Sequence, residues 1–284
     1  MNSTLPTRLD FHYHRRALTL FETTKWDKPI VMVFGDAGCG KGDVLAHVYN
    51  EVEMHHPMTS LLFSCGAGWN VSQLTKAVTA KICEAGLQSK WHLPDSWSKQ
   101  PLQKQLSSFG VKHLFVDDIH KLHPQSIDHL IKMTHPLSGQ SPLRIMASTS
   151  EDVENLSNRV PQVRGSYCGP LILPRLCWEA LGEFLDEMTV GFHGLFDLAR
   201  SSDREERNTL ARTMLQYVQQ ITGGNLGLVA RFGRCFDHRF PSGAASMARL
   251  EIIANEFQAA VVAHYDPNAS VHVPLGEAIA WAYK

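Results

Sequence analysis

The stretch from Pro29 to Asp43 reads Pro-Ile-Val-Met-Val-Phe-Gly-Asp-Ala-Gly-Cys-Gly-Lys-Gly-Asp. Ile30–Phe34 is a continuous apolar run between Pro29 and Gly35, the pattern of a strand buried on both faces. A loop carrying Gly35, Gly38 and Gly40 follows, and from Gly40 to about Glu53 the spacing is helical. Strand, glycine loop and helix in that order commit the chain to α/β folding around a parallel sheet. They also make a cradle for phosphate. Glycines let main-chain amides approach phosphate oxygens, while the helix N-terminus and Lys41 supply positive charge.

The spacing matches the Walker A motif G-x-x-x-x-G-K-[ST] at every position but the last. There the hydroxyl that would ligate magnesium is replaced by Gly42. Gly35, Asp36, Ala37, Gly38, Cys39, Gly40, Lys41, Gly42 and Asp43 are therefore the candidate cofactor-binding residues, with ATP and Mg2+ as the cofactors. The chain announces nucleotide binding and puts hydrolysis in question.

Further along, Leu114-Phe115-Val116-Asp117-Asp118 reads as a buried strand that delivers carboxylates at its end, a Walker B element. Asp117 is placed to hold the metal, and Asp118 to polarise the attacking water. Glutamate is usual at the second place, so Asp118 is one methylene short. Leu143–Ala147 is a fourth strand after Ser60–Ser64 and His113–Val116, and it ends in Ser148 and Thr149. Thr149 is the polar residue expected to meet the γ-phosphate or the lytic water. Leu171–Leu173 is a candidate fifth strand.

Helices are expected at Arg15–Glu22, Val71–Ala85, Leu102–Phe109 and Pro124–Met133, with a loop over Leu87–Pro101. After Pro174 the strand signal vanishes, and Trp178–Thr189, Glu205–Thr222, Asn225–Phe240 and Ala248–His264 all show helical spacing. The resulting organisation is an N-terminal segment (1–28), an α/β nucleotide-binding domain (29–174), a small helical domain (175–264) and a C-terminal tail (265–284).

These motifs, in this order, resemble AAA+ ATPases of the TniB/TnsC group, which regulate transposition and choose targets; MuB-type and ExeA-type ATPases are relatives. The resemblance covers about residues 14–262. It is carried by the phosphate loop, Val116-Asp117-Asp118, Ala147-Ser148-Thr149, Asn155-Leu-Ser-Asn-Arg159-Val and Ile221-Thr-Gly-Gly-Asn-Leu-Gly227. It implies a P-loop AAA+ sheet domain followed by a helical lid. It also implies that Arg159, or else Arg164, acts as an arginine finger on a neighbouring subunit's nucleotide, a role suited to a fixed, planar cation. The family's lid arginine is missing: Leu228 follows Gly227, and Arg231 is the nearest substitute. With Gly42 and Asp118, this makes a third departure, and together they favour an ATP-gated switch of slow or absent turnover.

By position alone, the resemblance also places Lys76, Lys81, Lys90 and Trp91 against DNA. The partners it implies are further copies of the chain in a ring or filament, double-stranded DNA, a transposase and a target-selection protein. An ExeA-like scaffold ATPase without DNA and a degenerate P-loop interaction module remain the alternatives.

Charge and composition narrow the field. Lys and Arg number 27 against 28 Asp and Glu, a net charge of −1, so no overall basic bias forces a nucleic-acid partner. The six cysteines form no C-x-x-C pair, as expected of reduced, cytoplasmic thiols. The polar start and the lack of a run of ~20 apolar residues argue against a signal peptide and a membrane span. His12/His14, His55/His56 and His120/His123 lack a convincing third ligand for a metal. Arg231, Arg234 and His238 fall on one helix face, read as a solvated basic stripe.

Overall fold

A computed structural model describes residues 12–24, 28–88, 99–135, 142–173, 175–178, 181, 204–241 and 245–265. The chain separates into two compact units, Asp10–Leu173 and Pro174–Lys284, the latter taking Met1–Leu9 with it.

The first unit is built on five strands: β1 (Ile30–Phe34), β2 (Ser60–Ser64), β3 (His113–Asp117), β4 (Arg144–Thr149) and β5 (Tyr167–Ile172). Its helices are α1 (His12–Thr23), α2 (Lys41–His55), α3 (Val71–Gln88), α4 (Leu102–Ser108), α5 (Pro124–Met133), α6 (Val153–Arg159) and α7 (Val163–Ser166). The strand order is β2-β3-β4-β1-β5, and all four pairings are parallel. The chain leaves β1 for the far edge, returns through β3 and β4, and crosses β1 to reach β5. The carboxyl ends of β1, β3 and β4 therefore meet where the strand order reverses, the place where open parallel sheets bind ligands.

Alternation along each strand divides the core. Ile30, Met32, Phe34, Leu114, Val116, Ile145 and Ala147 pack on one face, with Leu74, Val78 and Ile82 of α3 and Ile127 and Leu130 of α5. Val31, Val33, Phe115 and Met146 pack on the other, under Ala17 and Phe21 of α1 and Val44, Leu45 and Val48 of α2. Phe21 lies 5.1 Å from the Phe115 ring and 5.5 Å from that of His113. This parity decides the site. Continuing the alternation past Phe115 and Met146 turns Asp117 and Ser148 toward the α2 face, and sends Thr149 to the opposite one.

Several elements run longer than their sequence pattern. β4 extends through Ser148 and Thr149, because its central place in the sheet pairs their backbones whatever the side chains. β5 starts at Tyr167 and includes Gly169 and Pro170, residues that read as a break. An edge strand tolerates a proline, which has no N–H to offer a further strand, and the register with β1 shifts between Val31 and Val33. α3 continues to Gln88, past the expected end at Ala85. The rest of the expected loop before Pro101, apart from a turn at residues 99–100, lies outside the described residues. So do most of Trp178–Thr189 and the tail after Tyr265.

In the second unit, α8 (Arg204–Thr222), α9 (Leu226–Arg239) and α10 (Met247–Tyr265) pack through Met214, Val218, Val229, Phe232, Phe236, Leu250, Ile253 and Phe257. Gly223 and Gly224 both take left-handed backbone, and a Cβ on Gly224 would strike the Leu176 carbonyl at 2.2 Å. Asn225 then caps α9 by accepting from the Leu228 N–H at 3.2 Å. Among the described residues, no helix is long and apolar enough to cross a membrane.

Candidate functional site

The glycine loop leaves β1 at Gly35, whose N–H donates to the Thr149 carbonyl of β4 at 3.3 Å. Gly38 (φ 77°) and Gly40 (φ 91°) adopt the left-handed conformation that other residues resist. Gly40 caps α2 without a side chain, so the amides of the first turn stay open to an anion. Cys39 turns inward: its thiol lies beneath Gly35, where a Cβ on the glycine would come within 2.5 Å of Sγ. Burial is the main cause raising its pKa, so the thiol stays protonated and packs as an apolar group. Its main-chain N–H closes the loop on the Asp36 carbonyl at 3.2 Å.

Lys41 is 5% exposed, and its ammonium donates to the carbonyls of Gly35 at 2.9 Å and Asp36 at 2.7 Å. A longer contact to Cys39 Sγ, at 4.0 Å, completes its partners, so the cation is held across the mouth of the loop by the loop itself. One residue on, Gly42 faces the acidic strand end: a Cβ built on it would stand 3.4 Å from Asp117 Oδ2, an ordinary van der Waals contact. Asp43 reaches the surface, yet loss of water around its carboxyl, then the charge of Asp117, raises its pKa.

Asp117 is fixed by Ser148, whose hydroxyl donates to Oδ1 at 2.5 Å. Ser148 Oγ in turn accepts the Asp118 N–H at 2.8 Å, so one serine ties both acids to β4. Asp118 is a non-glycine residue in left-handed backbone (φ 57°), a conformation that turns its side chain away from the line of β3. Its Oδ2 accepts from Lys121 Nζ at 2.6 Å. Cys65, whose N–H donates to the Asp117 carbonyl, is pushed up to about 12 by burial and then by Asp117 and Asp118.

A 3-10 turn, Ile119–Lys121, follows. The His120 ring accepts from the Ser150 N–H at 3.3 Å, and burial lowers its pKa, which keeps it an acceptor near neutral pH. The His120 carbonyl accepts from Arg159 Nη2 at 2.9 Å, and the same nitrogen pairs with Glu151 at 2.7 Å. The Lys121 carbonyl accepts from Gly68 N–H at 2.8 Å. Thr149 Oγ1 takes the Glu151 N–H at 3.0 Å and so shapes the turn into α6.

The structure therefore brings Gly35–Asp43, Asp117, Asp118, Thr149 and Arg159 to one end of one sheet. Arg159 is engaged within its own chain, and Arg164 is exposed on α7. Lys76 is exposed on α3, Lys81 is paired with Glu84 at 3.0 Å, and Lys90 and Trp91 lie outside the described residues. Sequence reasoning passed over Lys121 and Glu151, weighed His120 only as a metal ligand, and gave Ser148 no role of its own. Ser148 alone had a signal, its place beside Thr149, and only strand parity says which of the two faces Asp117.

A cation-lined loop of open amides fits a polyphosphate. The open side of Gly42 leaves the Asp117 carboxylate accessible, and a hard oxygen donor of that kind would suit a divalent metal. Among the described residues no group of three His, Cys, Asp or Glu could hold a metal unaided. Lys41 and the loop would hold phosphate, and Asp117 the metal, which when bound supplies charge neutralisation.

No protein-family model and no curated protein matches the chain. Solved structures do. It is similar to a Walker-type ATPase of Pyrococcus abyssi (15% identity, TM-score 0.60), over 91% of this chain and 74% of that one. It is also similar to domain III of the replication initiation protein DnaA from Thermotoga maritima, at 13% identity and a TM-score of 0.52, over 86% of this chain and 90% of the other. The ADP form of the ORC2 protein of Aeropyrum pernix matches at 12% identity and a TM-score of 0.54, over 86% and 66%. The fold is that of the AAA+ P-loop ATPases.

Proposed function

We propose that the chain is an ATP-binding AAA+ regulator of DNA transposition. In this reading ATP occupies the Gly35–Asp43 loop, copies assemble into a ring or filament on double-stranded DNA, and the assembly links a target-selection protein to the transposase. Arg159 acts on the neighbouring copy's nucleotide, and hydrolysis is slow or lost.

The observation that carries the nucleotide part is the arrangement of Lys41 and the two left-handed glycines at the head of α2, with Gly42 facing Asp117. The transposition part rests on the order of sequence motifs. Slow turnover is supported by Gly42, by the ion pair that occupies Asp118, and by Leu228 in place of arginine. Electron microscopy with a non-hydrolysable ATP analogue and duplex DNA tests the assembly, and ordered oligomers are expected. Monomers unchanged under those conditions defeat it.

A second reading, an interaction module that binds no nucleotide, draws on one observation: the Lys41 ammonium is satisfied by its own loop. Calorimetry with ATP and Mg2+ separates the two.

A further inference from the structure

Hydrolysis of a nucleoside triphosphate needs a proton acceptor. The oxygen of water bonds to the γ-phosphorus, the bond to the β–γ bridging oxygen breaks, and that oxygen leaves with the electron pair on the diphosphate. The proton that the water loses goes to a base. Asp118 is the acid next in line after the metal-side Asp117, and its lone pairs are the resource that matters.

Lys121 engages one of the two Asp118 carboxylate oxygens. Its ammonium sits 2.6 Å from Asp118 Oδ2, close for an ion pair, with the two side chains 45% and 26% exposed. The geometry is not a loose surface pairing. Asp118 is pinned through its N–H to Ser148, and the 3-10 turn closes through the Lys121 N–H on the Asp118 carbonyl at 2.9 Å. The Lys121 carbonyl is held in turn by Gly68. Both backbones are thus fixed on either side of the ion pair, which leaves side-chain freedom as the entropy that opposes it. The hydrogen bond to Asp118 is the largest influence on Lys121 and raises its pKa, which keeps it charged at neutral pH.

We propose that Lys121 is a positioning residue that silences hydrolysis by engaging the Asp118 carboxylate, leaving nucleotide binding to the loop and Asp117. The inference rests on the ATP-binding reading and names its brake. Lys121 lies three residues beyond Asp118 and is not part of the Gly35–Asp43 loop, so its substitution changes no residue of the phosphate cradle.

The test compares the full-length protein with Lys121→Gln, Lys121→Arg and Lys121→Gln/Asp118→Asn. ATP affinity comes from calorimetry, and turnover from phosphate release at saturating ATP and Mg2+. Lys121→Gln is expected to raise kcat by about tenfold or more, the part of a general base's contribution that becomes available, with ATP affinity within about threefold. Lys121→Arg, which keeps a cation in place, gives a smaller rise, and adding Asp118→Asn abolishes the rise. Native turnover unchanged in Lys121→Gln, with ATP still bound, overturns the brake and leaves the binding reading standing. A rise that persists with Asp118→Asn overturns the route through Asp118. No ATP binding by the native chain defeats the reading and this inference together.

Discussion

Gly42 lies against Asp117, close enough that the first side-chain atom of any other residue there would touch the Oδ2 of the acid without clash. The gap left by the missing hydroxyl therefore opens directly on the carboxylate that would share a metal with it.

Gly42→Thr should accordingly fold, because the added Cβ meets only ordinary contact. The restored hydroxyl is expected to tighten ATP binding in the presence of Mg2+ and leave it unchanged with a chelator. Turnover should rise by up to about 10²-fold, the scale of one preorganised electrostatic contact. Calorimetry with and without Mg2+ checks the first, and a phosphate-release assay the second. Equal affinity in both conditions would show that the metal ignores this position.

Gly35→Ala should destabilise the first unit, since its Cβ would press on Cys39 Sγ, an atom buried in the core. The expected loss is about 1–3 kcal/mol by chemical denaturation. Combining it with Cys39→Ala removes the opposing sulfur and should recover part of the loss. A double variant as unstable as the sum of the two single ones would mean that the strain lies in the loop backbone instead.

How far the site could be read without coordinates depended on the kind of signal. β1 and β2 match their expected bounds residue for residue, β1 because a strand buried along its whole length carries no competing pattern. The ends of β4 and β5 were hidden, since Ser148, Thr149, Gly169 and Pro170 look like turn residues until the neighbouring strands are known. α6 and α7 carry too few residues to show a period. Gly35 to Lys41 was legible because one short segment holds the whole motif. The Lys121–Asp118 and Arg159–Glu151 pairs depend on backbone direction, as in the left-handed turn at Asp118, which residue identity does not announce.

Ser148→Ala removes the donor that orients Asp117 and leaves the Asp118 N–H without its acceptor. A loss of about 1–3 kcal/mol in stability is expected, the usual penalty for an abandoned buried polar group. Hydrogen exchange at Asp118 should quicken with it. Unchanged exchange would mean that another group takes the amide.

His113 sets an acid limit on stability. Burial, then the charges of Arg144, His56 and Lys112, lowers its pKa to about 4 from 6.5. The unfolded chain therefore binds the proton first as pH falls. Stability from this group is complete above pH ~6.5 and declines between there and pH ~4. Burial lowers His120 and His129 as well, which steepens the same limb. Urea midpoints measured from pH 7 to pH 4.5 should fall, and His113→Gln should flatten the fall. An equally steep profile in that variant would assign the effect to other groups.

The carbonyls of Asp117, Asp118, Ile119, His120 and Lys121 each accept a hydrogen bond, in turn from Cys65, Lys121, Leu122, Arg159 and Gly68. A run of main chain with no vacant acceptor has no slack. With the main chain clamped at both ends, by Gly68 and by Arg159, the Asp118 carboxylate is left to move about its own two side-chain bonds, an arm swinging on a bolted hinge.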